Sequence, residues 1–271
     1  MTPSRLWLQL ETVAAWLLGI LWALPLLYAF WAAFHPAAYA VKFDLAAPLT
    51  LANFIEAWTT APFARYFVNT ILYTTMTTAL QFVLCTLAAY AFACHDWKGK
   101  DLVFSLILIQ LMVMPDQLLV VNYQTMTALN LVDTIPAISL PYIASAFGVF
   151  LLRQNFKQVP IALAEAARVE GAGPLTILLK VYVPLSKAVY LAYGLVSISW
   201  HWNNFLWPLV ITNSVTTRPI TVGLSIFGSP ENGVNFAIVS AGTLMSVAPL
   251  LIGFLLFQHQ FVHSFMRAGI K

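Results

Sequence analysis

The chain has 271 residues, of which 61% are hydrophobic and only 8% charged, with a formal net charge of +3 and two cysteines. Soluble domains carry about a quarter charged residues, so this composition, with a mean hydropathy of +0.82, excludes an ordinary water-soluble fold and predicts a membrane protein. The small positive excess reads as membrane topology rather than as a nucleic-acid surface.

A helix needs about 20 mostly apolar residues to cross hydrocarbon, and six stretches qualify: 13–34, 67–94, 102–122, 136–154, 188–211 and 234–258. The expected fold is therefore an all-α membrane protein of about six transmembrane helices, a single membrane domain over residues 1–271. Arg5 and Glu11 precede a first apolar run too long for a signal peptide and without a small-residue cleavage site, so it is read as a retained anchor. Residues 35–66 form an outer loop holding Pro36, Pro48 and Pro62, with a short surface helix expected near Asn53 to Trp58. Cys85 and Cys94 fall on one helix about 13 Å apart, too far for a disulfide within the chain.

Near the outer end of the third span, Met114-Pro115 precedes Asp116 and Gln117. Proline frees a carbonyl and bends the helix, which turns these two side chains either into an internal cavity or simply into outer water. The connection 122–136, with Tyr123, Gln124, Asn130 and Asp133, is too polar to cross lipid and is expected to hold a half-helix at the membrane surface.

Pro160 to Pro184 reads PIALAEAARVEGAGPLTILLKVYVP, a polar break in an apolar chain. Pro160 suits a helix start, and Gly171 or Gly173 can take the left-handed conformation that closes it. Pro174 then starts a second helix to about Val183. The fifth span carries the densest polar set, Ser197, Ser199, His201, Asn203 and Asn204 among Trp200, Trp202 and Trp207. Such groups in hydrocarbon line a path or pin helices together. Indole faces stack on sugar C–H faces and amides bond hydroxyls, so Ser199, Trp202, Asn203 and Asn204, with Asp116 and Gln117, are the candidate solute-path residues. His259 and His263 have metal-ligand spacing but no Glu or Cys to complete a site, and no metal is expected.

Lysines and arginines near span ends favour the cytoplasm. With the N-terminus inside, Arg5, Lys98, Lys100, Arg153, Lys157, Arg168, Lys180, Lys187, Arg267 and Lys271 lie inside and Lys42, Arg65 and Arg218 outside, 10 against 3 of the 13. Both termini and the Glu165 loop are thus expected in the cytoplasm. No GxxxxGK[ST] loop occurs; Gly99-Lys100 lacks the upstream glycine and the hydroxyl residue, so ATP binding is not expected of this chain.

The Pro160–Pro184 segment resembles the EAA loop of ABC importer permeases. Glu165, Ala166, Ala167, Gly171, Ala172, Pro184 and Leu185 match at the family spacing, while Glu170 stands where Asp is usual and Leu178 where Phe is common. Trp202, Asn203 and Pro208 resemble the family's later signature, and Asn69 to Phe92 its Asn-to-AlaTyrAlaPhe helix. The resemblance covers nearly the whole chain and points to the sugar-importer branch, with a core at about 65–260 and a cytoplasmic two-helix coupling loop at 155–187 between spans four and five. It implies a bacterial inner-membrane assembly of two permeases, two ATPase subunits that hold ATP and Mg, and an external solute-binding protein, with no cofactor on this chain. Glu165 and Glu170 would then position the loop in an ATPase groove, while Ala166, Ala167, Gly171 and Ala172 permit its depth. A sugar or oligosaccharide is the expected cargo. Pro184-Leu185-Ser186-Lys187, Ala144-Ser145-Ala146 and the Phe150–Gln154 run also resemble the glycerol-phosphate branch, so glycerol-3-phosphate or a glycerophosphodiester is the alternative. An ion-coupled carrier would need buried carboxylates, for which Asp116 is the one candidate, or an internal repeat; a membrane scaffold would need no path at all.

Overall fold

The computed structural model describes residues 5–44, 46–228 and 234–269, with side chains excepted at 5–8, 226 and 257–269. His259, His263, Arg267 and Lys271 therefore lie outside the described side chains. Among the described residues there is no strand. Three helices are long and apolar enough to cross a membrane unbroken, Gln9–Phe34, Phe63–Cys94 and Phe236–Leu256. Three further pairs of helices are long and apolar enough only when taken together, each bent at a short break: Lys100–Met112 with Pro115–Ala128 at 92°, Ile135–Tyr142 with Ala146–Phe156 at 52°, and Pro174–Leu185 with Lys187–Asn203 at 79°.

The expected spans at 102–122, 136–154 and 188–211 are not straight rods: the first two break at the bends of their pairs, and the third ends at Asn203, short of Leu206–Ile211, while its pair bends farther back at Ser186. Pro115 would drive its ring into the carbonyl four residues back, and it forces Met114 into extended backbone (φ −69°, ψ 131°). Pro208 excludes a continuous helix through Asn204 for the same reason. The fifth span accordingly stops at Asn203, and a separate short helix covers Leu206–Ile211. In the fourth span Ser145 is extended, and its hydroxyl accepts from the Gly148 amide at 3.1 Å, starting a new helix.

The chain forms two compact units, residues 1–64 with 223–249, and residues 65–222 with 250–271. In the first, α1 (Arg5–Phe34) turns its large apolar side chains outward, Trp16 and Trp22 among them. The expected surface helix is present as α2 (Ala52–Thr60). Buried Asn53 on α2 donates to the carbonyls of Ala33 and His35, both at 2.8 Å, and so satisfies the frayed end of α1.

The second unit is organised on α3 (Phe63–Cys94). Thr70, Tyr73, Thr74, Thr77, Thr78, Gln81, Cys85 and Ala89 form a buried seam along one face, at the three- and four-residue spacing of a helix. Lipid tails are as apolar as leucine, so helices associate through close packing and polar contacts rather than hydrophobic driving force. Both devices occur here. Gly148, in α4 (Ala146–Phe156), lies against Tyr193 and Cys85. Gly194, in α5 (Lys187–Asn203), lies against Phe82.

Candidate functional site

The loop that resembles a coupling element is built as the sequence predicts. The helix Ile161–Val169 follows Pro160 and is closed by Gly171, the one of the two candidate glycines with left-handed backbone (φ +83°). The Ala172 amide reaches the Ala167 carbonyl at 2.9 Å, and the Gly171 amide reaches Arg168 at 2.9 Å. This paired closure satisfies carbonyls the helix end would otherwise leave open. Pro174 opens the second helix, but that helix widens to a π-turn at Leu178–Tyr182. Pro184 has no amide hydrogen and crowds the Lys180 carbonyl, and the wider turn makes room for it.

The loop's alanines divide between two faces. Ala164 is buried, and Ala167 and Ala172 pack on the aromatic and aliphatic cluster that includes Phe156, Ile177, Leu178 and Tyr182. Glu165, Ala166, Glu170 and Gly171 are exposed beside Val169, which is 90% exposed. Arg153 fixes the floor of this end. Its guanidinium lies 3.9 Å from the centre of the Phe104 ring, its Nε donates to the Phe92 carbonyl at 3.3 Å, and Nη2 is 3.6 Å from Asp101. Composition marks Arg153 only as one more inner cation; the fold makes it a buried strut.

A cavity of about 430 Å³ is bordered by Gln81 of α3 and by Gln110, Asn122, Tyr142, Ser145, Trp200 and His201 of the third, fourth and fifth expected spans. No charged side chain lines it. Its walls exist because the fourth span is broken. A break frees backbone groups that lipid cannot satisfy, and two glutamines take them. Gln81 Nε2 donates to the Tyr142 carbonyl at 2.6 Å. Gln110 accepts from the Ala146 amide at 2.9 Å and reaches the Ala144 carbonyl at 3.4 Å. Gln81 Oε1 in turn accepts from Tyr193 at 3.0 Å and Ser197 at 2.6 Å, and Thr78 lies 3.1 Å from Ser197.

Of the candidate path residues, none borders this cavity; their neighbours in sequence do. Asn203 is exposed and donates back to the Ser199 carbonyl at 2.8 Å, within its own helix, and Ser199 is exposed too. Trp202 is buried facing Phe67, with ring centres 6.4 Å apart, and Asn204 is half-buried with its carbonyl accepting from Thr221 at 2.8 Å. Asp116 and Gln117 are exposed, next to cavity-lining Pro115. Three other members of the fifth span's polar cluster, Ser197, Trp200 and His201, do border the cavity. The sequence does not single out Gln81, Gln110 or Tyr193, because single amides and phenols in apolar runs carry no motif. The signal available was the three- and four-residue recurrence of polar groups along α3.

Comparison with known proteins places the chain. Residues 86–261 match the model of the family described as binding-protein-dependent transport system inner membrane component. The chain is 32% identical to the arabinooligosaccharides transport system permease protein AraQ of Halalkalibacterium halodurans, over 96% of this chain and 97% of that one. It is 36% identical to the lactose transport system permease protein LacG of Rhizobium radiobacter, over 72% of this chain and 70% of that one. A chain in the crystal structure of a bacterial ABC transporter involved in import of the acidic polysaccharide alginate shares the fold, with a TM-score of 0.81, 23% identity, and coverage of 96% of this chain and 99% of that one. The chain belongs to the family of inner membrane components of binding-protein-dependent ABC transport systems.

Proposed function

We propose that this permease pairs with a second, different permease to form the translocation path for a neutral sugar or oligosaccharide, driven by ATP hydrolysis on two separate ATPase subunits and fed by an external solute-binding protein. The observation that carries the solute class is the cavity beside Trp200, Tyr142 and His201, whose amides, hydroxyls and aromatic rings suit a polyol and whose lining holds no charge. The named solutes of the AraQ and LacG relatives are saccharides as well. Glycerol-3-phosphate is the weaker reading, because a phosphate is held best by Arg or Lys and neither borders the cavity. ATP and Mg belong to the partner subunits, and this chain holds no cofactor. The whole chain acts as one permease domain, with its coupling loop and both termini in the cytoplasm.

In this reading Glu165, Ala166, Glu170 and Gly171 are the exposed edge that enters an ATPase groove, and Ala167 and Ala172 seat the same loop on the bundle. Movement of the loop passes to the spans through the Phe156, Ile177 and Tyr182 packing. The test is co-purification of the chain with its cognate permease and ATPase, followed by ATPase activity stimulated by the solute-binding protein. Gly171→Asp places a β-carbon and a charge at a left-handed position, and is expected to abolish stimulated ATPase and uptake. Uptake that proceeds without ATP, or is indifferent to Gly171→Asp, overturns the proposal.

A further inference from the structure

The second helix of the coupling loop, Pro174–Leu185, is apolar on both of its faces. Its inner face, with Ile177, Leu178 and Tyr182, is buried in the cluster that also holds Phe156 and Tyr90. Its outer face carries Leu175 and Leu179, one turn apart and 60% and 56% exposed, and Leu185, at the junction with α5, is 55% exposed. A surface helix that meets water turns a polar face outward, and one that is apolar all round has apolar material on every side. Something other than water therefore covers the outer leucines.

Geometry and charge name the cover. The 17 residues of α5 extend about 25 Å at 1.5 Å per residue, most of a hydrocarbon core about 30 Å thick, so α5 can do the crossing of its bent pair. Crossing helices tilt by about 20° on average, and the helix bent 79° from α5 then runs within about 30° of the membrane plane, at the depth where α5 enters. The exposed apolar surface continues from Leu185 onto α5 at Leu191 and Val196, 43% and 39% exposed. Residues 171–187 hold two lysines, Lys180 and Lys187, both exposed, and no carboxylate. Lysine lays its stem on apolar surface with its ammonium at the headgroups and is drawn to anionic lipid, whereas the cores of protein interfaces are depleted in it.

We infer that Pro174–Leu185 is an interfacial helix whose Leu175, Leu179 and Leu185 face docks on the cytoplasmic leaflet, with Lys180 and Lys187 holding anionic phospholipid headgroups. The inference rests on the cytoplasmic side proposed for the loop, and neither on the solute nor on the ATPase contact. The experiment places the fluorophore NBD on Leu179→Cys, with Leu175→Cys as the second site, in a Cys94→Ala background, since Cys94 is half-buried and Cys85 buried. The full chain is measured in nanodiscs with and without its partner subunits, using preparations that elute at wild-type size. Phosphatidylglycerol carrying a nitroxide on its acyl chain should quench the label about fivefold more strongly than phosphatidylcholine so labelled, the worth of one lysine at an anionic surface, and aqueous iodide should not quench it. Lys180→Gln combined with Lys187→Gln should bring the ratio of the two lipids toward one. Quenching by iodide puts the face in water and overturns the inference. Protection from iodide and from both lipids also overturns it, because a protein then covers the face: an ATPase subunit if protection needs that subunit, the second permease if it needs that chain. Equal quenching by the two lipids overturns the anionic assignment. Failure of the solute-binding protein to stimulate ATPase activity overturns the proposed function alone, since the lipid readout requires no uptake.

Discussion

Gly148 shows how little space the spans leave between them. A β-carbon built there would sit 2.5 Å from Cζ and Oη of Tyr193 and 2.8 Å from Cys85 Sγ. Tyr193 cannot swing away freely, since its hydroxyl donates to Gln81, the residue that also holds the broken end of the fourth span. Gly148→Ala is therefore expected to cost about 1–3 kcal/mol, read as a lowered midpoint of thermal unfolding in detergent. Gly173→Ala is the control: nothing lies within 4 Å of its β-carbon position and its φ of −72° suits any residue, so its midpoint should match wild type. Equal midpoints for Gly148→Ala and wild type would mean that the α3–α4–α5 contact is looser than its geometry.

At the scale of elements, short connections carry as much order as the helices. The connection 129–134 meets residues 211–218 at Asp133, which has a positive φ of 60° and whose amide donates to the Ile211 carbonyl at 2.9 Å. Its carboxylate accepts from the Asn213 amide at 2.9 Å, the Ser214 amide at 3.1 Å and the Thr217 hydroxyl. Burial raises this carboxyl, but the bonds from Thr217, Ser214 and Asn213 outweigh burial and bring it down to about 2. A carboxyl lowered on folding stabilises the folded loop at any pH above its unfolded value near 3.8, and that stability is lost as pH falls from there through about 2. Amide-exchange protection of Asn213 and Ser214 should thus be flat above about pH 4 and fall toward pH 2. Asp133→Asn should lower protection at neutral pH and flatten the acid profile; an unchanged acid profile would remove the clamp. None of this was legible beforehand, because Asp133 reads as one more polar loop residue until the fold brings residues 80 positions away to it. The coupling loop was legible almost to its cap, since Pro160, Gly171 and Pro174 act through local backbone rules that need no tertiary partner. The span breaks fall between these cases: Pro115 and Pro208 announce an interruption, whereas the break at Ser145 leaves the Tyr142 and Ala144 carbonyls to Gln81 and Gln110, which no local rule singles out.

For the whole molecule, the distribution of charge and the order of the spans make one joint commitment. If each bent pair is one span, the chain crosses six times and its two ends share a side. The Lys and Arg asymmetry of 10 against 3 is the ground on which that side is proposed to be the cytoplasm. Under that proposed orientation the exposed edge at Glu165 and Glu170 faces the side where the ATPase subunits are proposed to dock, and the Asp133 clamp faces the outside. Gln158, at the start of the coupling loop, and Thr216, in the clamp, are both exposed and separated by the single bent pair Pro174–Asn203. If that pair crosses once, they lie on opposite sides. In intact cells a membrane-impermeant maleimide should label Thr216→Cys and spare Gln158→Cys until the membrane is opened, above the background from native Cys85, which is buried, and half-buried Cys94. Labelling of both variants in intact cells would mean that Pro174–Asn203 does not cross as one span. Labelling of Gln158→Cys alone would invert the topology and place the Glu165 loop where no ATPase can reach it, which would defeat the coupling role along with the orientation.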